Sequence, residues 1–190
     1  YQEGHFGANY NNNVNIGYQS GDGSGAFGTQ GSNNVFVGYQ TGRKMSYQNS
    51  NYSSDNVGIG YQSGTNIGNN DYSIQNTMVG TNTGNSLGAS SGYTGSYNSL
   101  FGYKSGYSLR SGTYNTLLGY QSGYGITTGK DNIIIATATS STAVANLTTG
   151  SQNIIIGSNI SFASTTASGQ LDIQNILYGT NNTGTGSTLS

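Results

Sequence analysis

Nine short words built on one template recur along this chain: an asparagine, three residues of strand character, and a glycine. They read NVNIG at 13, NVFVG at 34, NVGIG at 56, NTMVG at 76, NSLFG at 98, NTLLG at 115, NIIIA at 132, NIIIG at 153 and NILYG at 175. The asparagines lie 21, 22, 20, 22, 17, 17, 21 and 22 residues apart, and the glycine fails only at Ala136. Self-similarity at such a period marks a repeat architecture, in which a unit unable to bury its own apolar face stacks on its neighbours.

Each word has the alternation of a short strand. Positions two and four hold Val14/Ile16, Val35/Val37, Val57/Ile59 and Thr116/Leu118, which predicts that these positions face the core. The glycine marks a bend or a close approach of another backbone. Five words carry a further glycine three residues before the asparagine, at Gly31, Gly95, Gly112, Gly129 and Gly150. Such units suit either a meander of hairpins or a solenoid of stacked coils. Asn-Gly, the strongest hairpin signal, never occurs, and Asp-Gly occurs once, at Asp22-Gly23. The expected fold is therefore all-β, a parallel β-solenoid of about nine coils. Asn13, Asn34, Asn56, Asn76, Asn98, Asn115, Asn132, Asn153 and Asn175 would then stack as an amide ladder. Nine coils at ~4.8 Å each give a rod of about 43 Å.

Composition narrows the function. Only 6% of the 190 residues are charged and the net charge is -1, which leaves no basic surface for nucleic acid or anionic lipid. No apolar run is long enough to span a membrane as a helix. There is no cysteine, so no disulfide framework and no thiolate metal site. Sixteen tyrosines and no proline argue against disorder. The opening YQEG reads as a repeat entered part-way, so the sequence is expected to be a piece of a longer polypeptide.

Position three is expected to face outward, yet it is apolar in most copies, with Leu117, Ile134, Ile155 and Leu177 among the later ones. A strand apolar on both faces is covered on both sides. The simplest cover is another copy of the chain, so these four residues are expected at a subunit interface.

The motif N-[VIT]-x-[VIL]-G-x-x-[ST] resembles the head repeats of trimeric autotransporter adhesins and the glycine- and asparagine-rich shafts of phage tail fibres. The resemblance implies a homotrimer, each chain a parallel β-roll packed beside its partners about a threefold axis. It implies an extracellular place, on a cell surface or in a virion fibre. The spacing here is longer and more variable than in compact head repeats, and tyrosine is more common.

No catalytic pattern emerges, so no enzyme activity, cofactor or metal is expected. His5 is the single histidine, and Glu3, Asp22, Asp55, Asp71, Asp131 and Asp172 are far apart in sequence. Tyr18, Tyr39, Tyr61, Tyr103 and Tyr120 share one place in the repeat and form a candidate ligand-binding ladder, interrupted at Thr81. Tyr47, Tyr52, Tyr72, Tyr93, Tyr97, Tyr107 and Tyr124 lie in the variable inserts, where binding concentrates on rigid scaffolds. Arg43 and Lys44, in the longest insert, complete the candidates. The copies change character along the chain. Residues 1–125 are expected to be tyrosine-rich coils bearing any ligand site, and 126–190 an aliphatic shaft. The expected function is adhesion or receptor binding, through weak polyvalent contacts with a cell-surface glycan or protein. The alternatives are a structural spacer, an ice- or surface-binding solenoid, or a tailspike glycosidase.

Overall fold

A computed structural model describes residues 12–22, 31–44, 53–68, 72–89, 94–137, 147–160, 164–174 and 177–179. The chain is an all-β solenoid with one strand per coil. The strands are β1 (Val14–Ile16), β2 (Val35–Val37), β3 (Val57–Ile59), β4 (Thr77–Val79), β5 (Ser99–Phe101), β6 (Thr116–Leu118), β7 (Ile133–Thr137), β8 (Ile154–Ser158), β9 (Leu171–Ile173) and β10 (Leu177–Gly179). They form one sheet in chain order. β1 to β9 run parallel, each pairing in register with the next, and β10 turns back antiparallel on β9. The change of composition at 125/126 is no break in the sheet, since β6 pairs directly with β7.

The asparagines explain why the coils stack in register. Asn98 Oδ1 accepts from both the backbone N and the Nδ2 of Asn115, each at 3.0 Å. Asn98 Nδ2 in turn donates to Asn76 Oδ1 and to the carbonyl of Gly112. The same pair of bonds joins Asn13 to Asn34 and every later rung to Asn153. Gly31, Gly95, Gly112, Gly129 and Gly150 supply the carbonyls that receive the remaining amide hydrogens. The ninth rung is Gln170, whose backbone N donates to Asn153 Oδ1 at 2.8 Å. The sequence expectation set the ninth word at Asn175, five residues too late. Asn175 itself lies outside the described residues.

The facing of the strands is the reverse of the expectation. Position three points inward: Phe36, Met78, Leu100, Leu117, Ile134 and Ile155 are all 0% exposed. Positions two and four point outward, with Ile133, Ile135, Ile154 and Ile156 between 38% and 41% exposed. Leu117, Ile134 and Ile155 therefore fill the interior of their own chain and cannot meet a partner. The side chain of Leu177 lies outside the described residues. The physical reason is a second wall. Eleven residues after their asparagines, Ile67, Leu87, Leu109 and Ile126 are also fully buried, and Leu147 joins them one coil later. These five pack against the position-three column to form one core. Each of the first four closes a turn onto a glycine three residues earlier, as in the bond from Leu109 N to Gly106 O at 3.1 Å. The turn side therefore supplies the opposite face of the core, and the chain needs no partner to cover position three. Three copies lack an apolar side chain there: Asn15, Gly58 and Asp172. Gly58 is backed by the ring of Phe36, 2.8 Å from where a Cβ would stand. Asn15 begins the described column.

The glycine after the strand is a bend and a close approach at once. Gly102 has φ 123°, and a Cβ there would strike the carbonyl oxygen of Gly119 in the next coil. At Ala136 the bend is missing. β7 instead runs straight for five residues, and the alanine methyl joins the core at 5% exposure.

Candidate binding surfaces

After the bend, five coils turn a tyrosine outward, and the first six turn a hydroxyl inward. Ser20, Ser63, Ser105 and Ser122 donate through Oγ to the carbonyls of Phe36, Met78, Leu117 and Ile134 in the following coil. Thr41 and Thr83 do the same to Gly60 and Gly102. The residue between tyrosine and hydroxyl adopts a left-handed conformation, with φ 50° at Gln19, 53° at Gln40 and 53° at Gln62. These glutamines form a second amide ladder: Gln40 Nε2 donates to Gln19 Oε1 at 2.7 Å, and Gln62 Nε2 to Gln40 Oε1 at 2.8 Å. So the tyrosine between the bend and this corner is held at one place in each coil that carries it.

The five expected ladder tyrosines come together as two stacks. Tyr18, Tyr39 and Tyr61 have centroids 5.3 Å and 5.1 Å apart, and Tyr103 and Tyr120 are 5.0 Å apart. All five are between 38% and 50% exposed. Thr81 separates the stacks. Two further stacks were not foreseen. Tyr97 and Tyr114 lie 4.7 Å apart at the corner before the asparagine, where both adopt φ near 60°. Tyr107 and Tyr124 lie 5.2 Å apart on the turn side. Tyr97, Tyr107 and Tyr124 thus belong to the repeat and not to loops. The signal was their spacing, since each stacked pair is 17 residues apart, as are Asn98 and Asn115. Tyr72 is exposed, and Tyr47, Tyr52 and Tyr93 lie outside the described residues.

Arg43 and Lys44 sit half-buried on the turn of the second coil, where the Lys44 backbone N donates to Thr65 O at 2.7 Å. The cation that meets tyrosines is a different one. Lys104 Nζ stands 5.2 Å from the Tyr103 centroid and 5.5 Å from that of Tyr107. A hydrogen bond to Tyr103 is the leading cause that raises its pKa above the ordinary lysine value. Comparison with family models, characterised proteins and solved structures finds no match to this chain. The surfaces must be read from their own chemistry.

No group of three or more metal-ligating side chains occurs among the described residues. Asp55 accepts from Asn33 Nδ2 at 3.0 Å on an exposed corner, and Asp71 and His5 lie outside the described residues. Asp172 takes position three in β9, where most coils place an apolar side chain. It is 9% exposed, and burial raises its pKa above the usual carboxylate value. No described helix is long and apolar enough to cross a membrane.

The outward sheet face is the other candidate. It runs through positions two and four of every coil, from Val14 and Ile16 to Ile154 and Ile156. Between β6 and β8 it holds a shallow apolar depression of about 370 Å³, lined by Leu118, Gly119, Ile135, Ala136, Ile156 and Gly157 among others.

Proposed function

We propose that this chain is a segment of an extracellular homotrimeric fibre acting in adhesion or receptor binding, without catalytic activity of its own. The observation that carries the reading is the aliphatic outward face of the sheet. Ile133, Ile135, Ile154 and Ile156 stand two by two on consecutive strands, each more than a third exposed, with no charged residue at positions two and four of β1 to β8. A contiguous apolar surface of this kind marks an association site. Its repeat from coil to coil matches the repeat of a second copy placed alongside, so side-by-side packing buries one column against another along the rod. The subunit interface is thus assigned to positions two and four, in place of the position-three residues. Three chains would multiply any weak surface contact.

The test is molar mass by light scattering. The unmodified chain is expected to be a trimer, and the double variant Ile135→Asp, Ile156→Asp a folded monomer with unchanged far-ultraviolet circular dichroism. An unmodified chain that stays monomeric at high concentration would contradict the assembly.

One observation favours the second reading, a spacer without a ligand. Within each tyrosine stack the rings cover one another at 4.7–5.3 Å, so most ring faces are not open to a ligand. A spacer would bind no member of a glycan array.

A further inference from the structure

The tyrosine column loses one rung at Thr81, and only the ring is missing there. The backbone passes through in register: Asn82 N donates to Tyr61 O at 2.8 Å, and Lys104 N donates to Thr81 O at 2.9 Å. Tyr61 and Tyr103 are therefore two coil steps apart, about 9.6 Å at ~4.8 Å per step. Neighbouring rungs elsewhere in the column stack at 5.0–5.3 Å. The break is thus one ring deep, with threonine in place of the ring. Tyr39 covers one face of Tyr61, and Tyr120 covers one face of Tyr103. The faces turned toward the fourth coil have no tyrosine of this column against them.

Lys104 borders this break. It follows Tyr103 directly and has its ammonium 5.2 Å from that ring. The groups that set its proton affinity are tyrosines and burial, with no carboxylate among them. No described carboxylate balances its charge, and the ammonium is held between the Tyr103 and Tyr107 rings beside the break.

We propose that the break at Thr81 is a carbohydrate site that takes one pyranose ring bearing a carboxylate or sulfate group, stacked between Tyr61 and Tyr103 with its anionic group on Lys104. A pyranose presents a face of C–H groups that packs on an aromatic ring, and it is about as thick as the missing rung. Thr81 and Asn82 put a hydroxyl and an amide in the coil between the two tyrosines, groups able to bond sugar hydroxyls. The ammonium selects for charge, because a hydrogen bond between ionised partners is stronger than a neutral one. This inference rests on the adhesion reading and supplies its ligand class.

The chain has no tryptophan, so its sixteen tyrosines give the intrinsic fluorescence, and a ring stacked on Tyr61 and Tyr103 perturbs that signal. The experiment titrates the chain with a uronic-acid oligosaccharide, a sulfated one and a neutral one of equal length. Saturable binding of an anionic oligosaccharide, at least tenfold tighter than the neutral one, is expected. Thr81→Tyr restores the missing rung and should abolish binding while leaving the melting temperature unchanged or higher. Lys104→Met keeps the side-chain stem and should remove the preference for charge. Oligosaccharide binding that survives Thr81→Tyr would overturn this site while leaving the adhesion reading standing. Binding of none of the three would overturn the site, and a full glycan array that is also blank would remove the adhesion reading with it.

Discussion

Gly102 carries two constraints in one residue. Its φ of 123° is strained for any L side chain, and a Cβ would collide with the Gly119 carbonyl of the next coil. The two coils are held together there by backbone bonds, such as Gly119 N to Phe101 O at 2.8 Å. Gly102→Ala should force those coils apart, lowering stability by roughly 3 kcal/mol or more, as strain and lost hydrogen bonds add. Urea unfolding measures this, and a loss below 1 kcal/mol would show that the coils can separate freely. Asp172 makes the opposite kind of prediction. Burial raises its pKa, so the folded chain holds the proton more tightly than the unfolded chain. Stability from this group is full below the ordinary carboxylate value near 3.8, and is lost as pH rises through the raised folded value. Asp172→Asn should therefore raise the melting temperature at pH 7 and change it little at pH 3. Equal effects at both pH values would mean that its ionisation is not what weakens the last coil.

At the scale of the element, the amide of Asn98 is the joint between coils. Its five bonds, to Asn76, Ser96, Gly112 and twice to Asn115, are all near 3.0 Å and all buried. Asn98→Ala leaves several buried partners unsatisfied at ~1–3 kcal/mol each, a loss of roughly 3–6 kcal/mol. Hydrogen exchange should then show faster opening of residues 95–118 in particular. Exchange unchanged in that region would mean that the ladder follows the stacking and does not cause it. The repeat made these elements legible: eight of the nine words open a strand one residue after the asparagine. The ninth was misplaced because Gln170 does an asparagine's work and an alignment on asparagine passes over it. Inside and outside were inverted for a different reason. Val14 and Ile16 alternate as cleanly as Phe36 does with its neighbours, and period two does not say which set faces the core. Asn15 and Gly58 also stand at position three. Asn15 begins the described column, and the Phe36 ring fills the space at Gly58. The deciding evidence was Ile67, Leu87, Leu109 and Ile126, eleven residues beyond each asparagine. They build the opposite wall, and their partnership with position three depends on how the whole coil closes.

At the scale of the whole molecule, the core is built within one chain and the sheet face carries exposed aliphatics. β1 to β9 span eight steps, about 38 Å at ~4.8 Å per step. The position-three column is sealed by the turn side, so Leu117 and Ile134 hold the coils together, while Leu118 and Ile135 stand exposed on the sheet face. The tyrosine column after the glycine stacks as Tyr18–Tyr39–Tyr61 and Tyr103–Tyr120, interrupted at the fourth coil. The candidate site was only partly legible for that reason. The recurrence of tyrosine after the glycine is plain in the sequence, but a stack uses up its own faces, so the break matters more than the rungs. The division of inside from outside is tested most directly by thiol labelling, because the chain has no cysteine of its own. Single cysteines at 117, 118, 134 and 135 are labelled with a small maleimide across a range of protein concentrations. Leu117→Cys and Ile134→Cys should react slowly throughout, limited by unfolding. Leu118→Cys and Ile135→Cys should react quickly in dilute protein and slow down as the chain assembles. Fast labelling at 117 and 134 with protection at 118 and 135 in dilute protein would contradict the account.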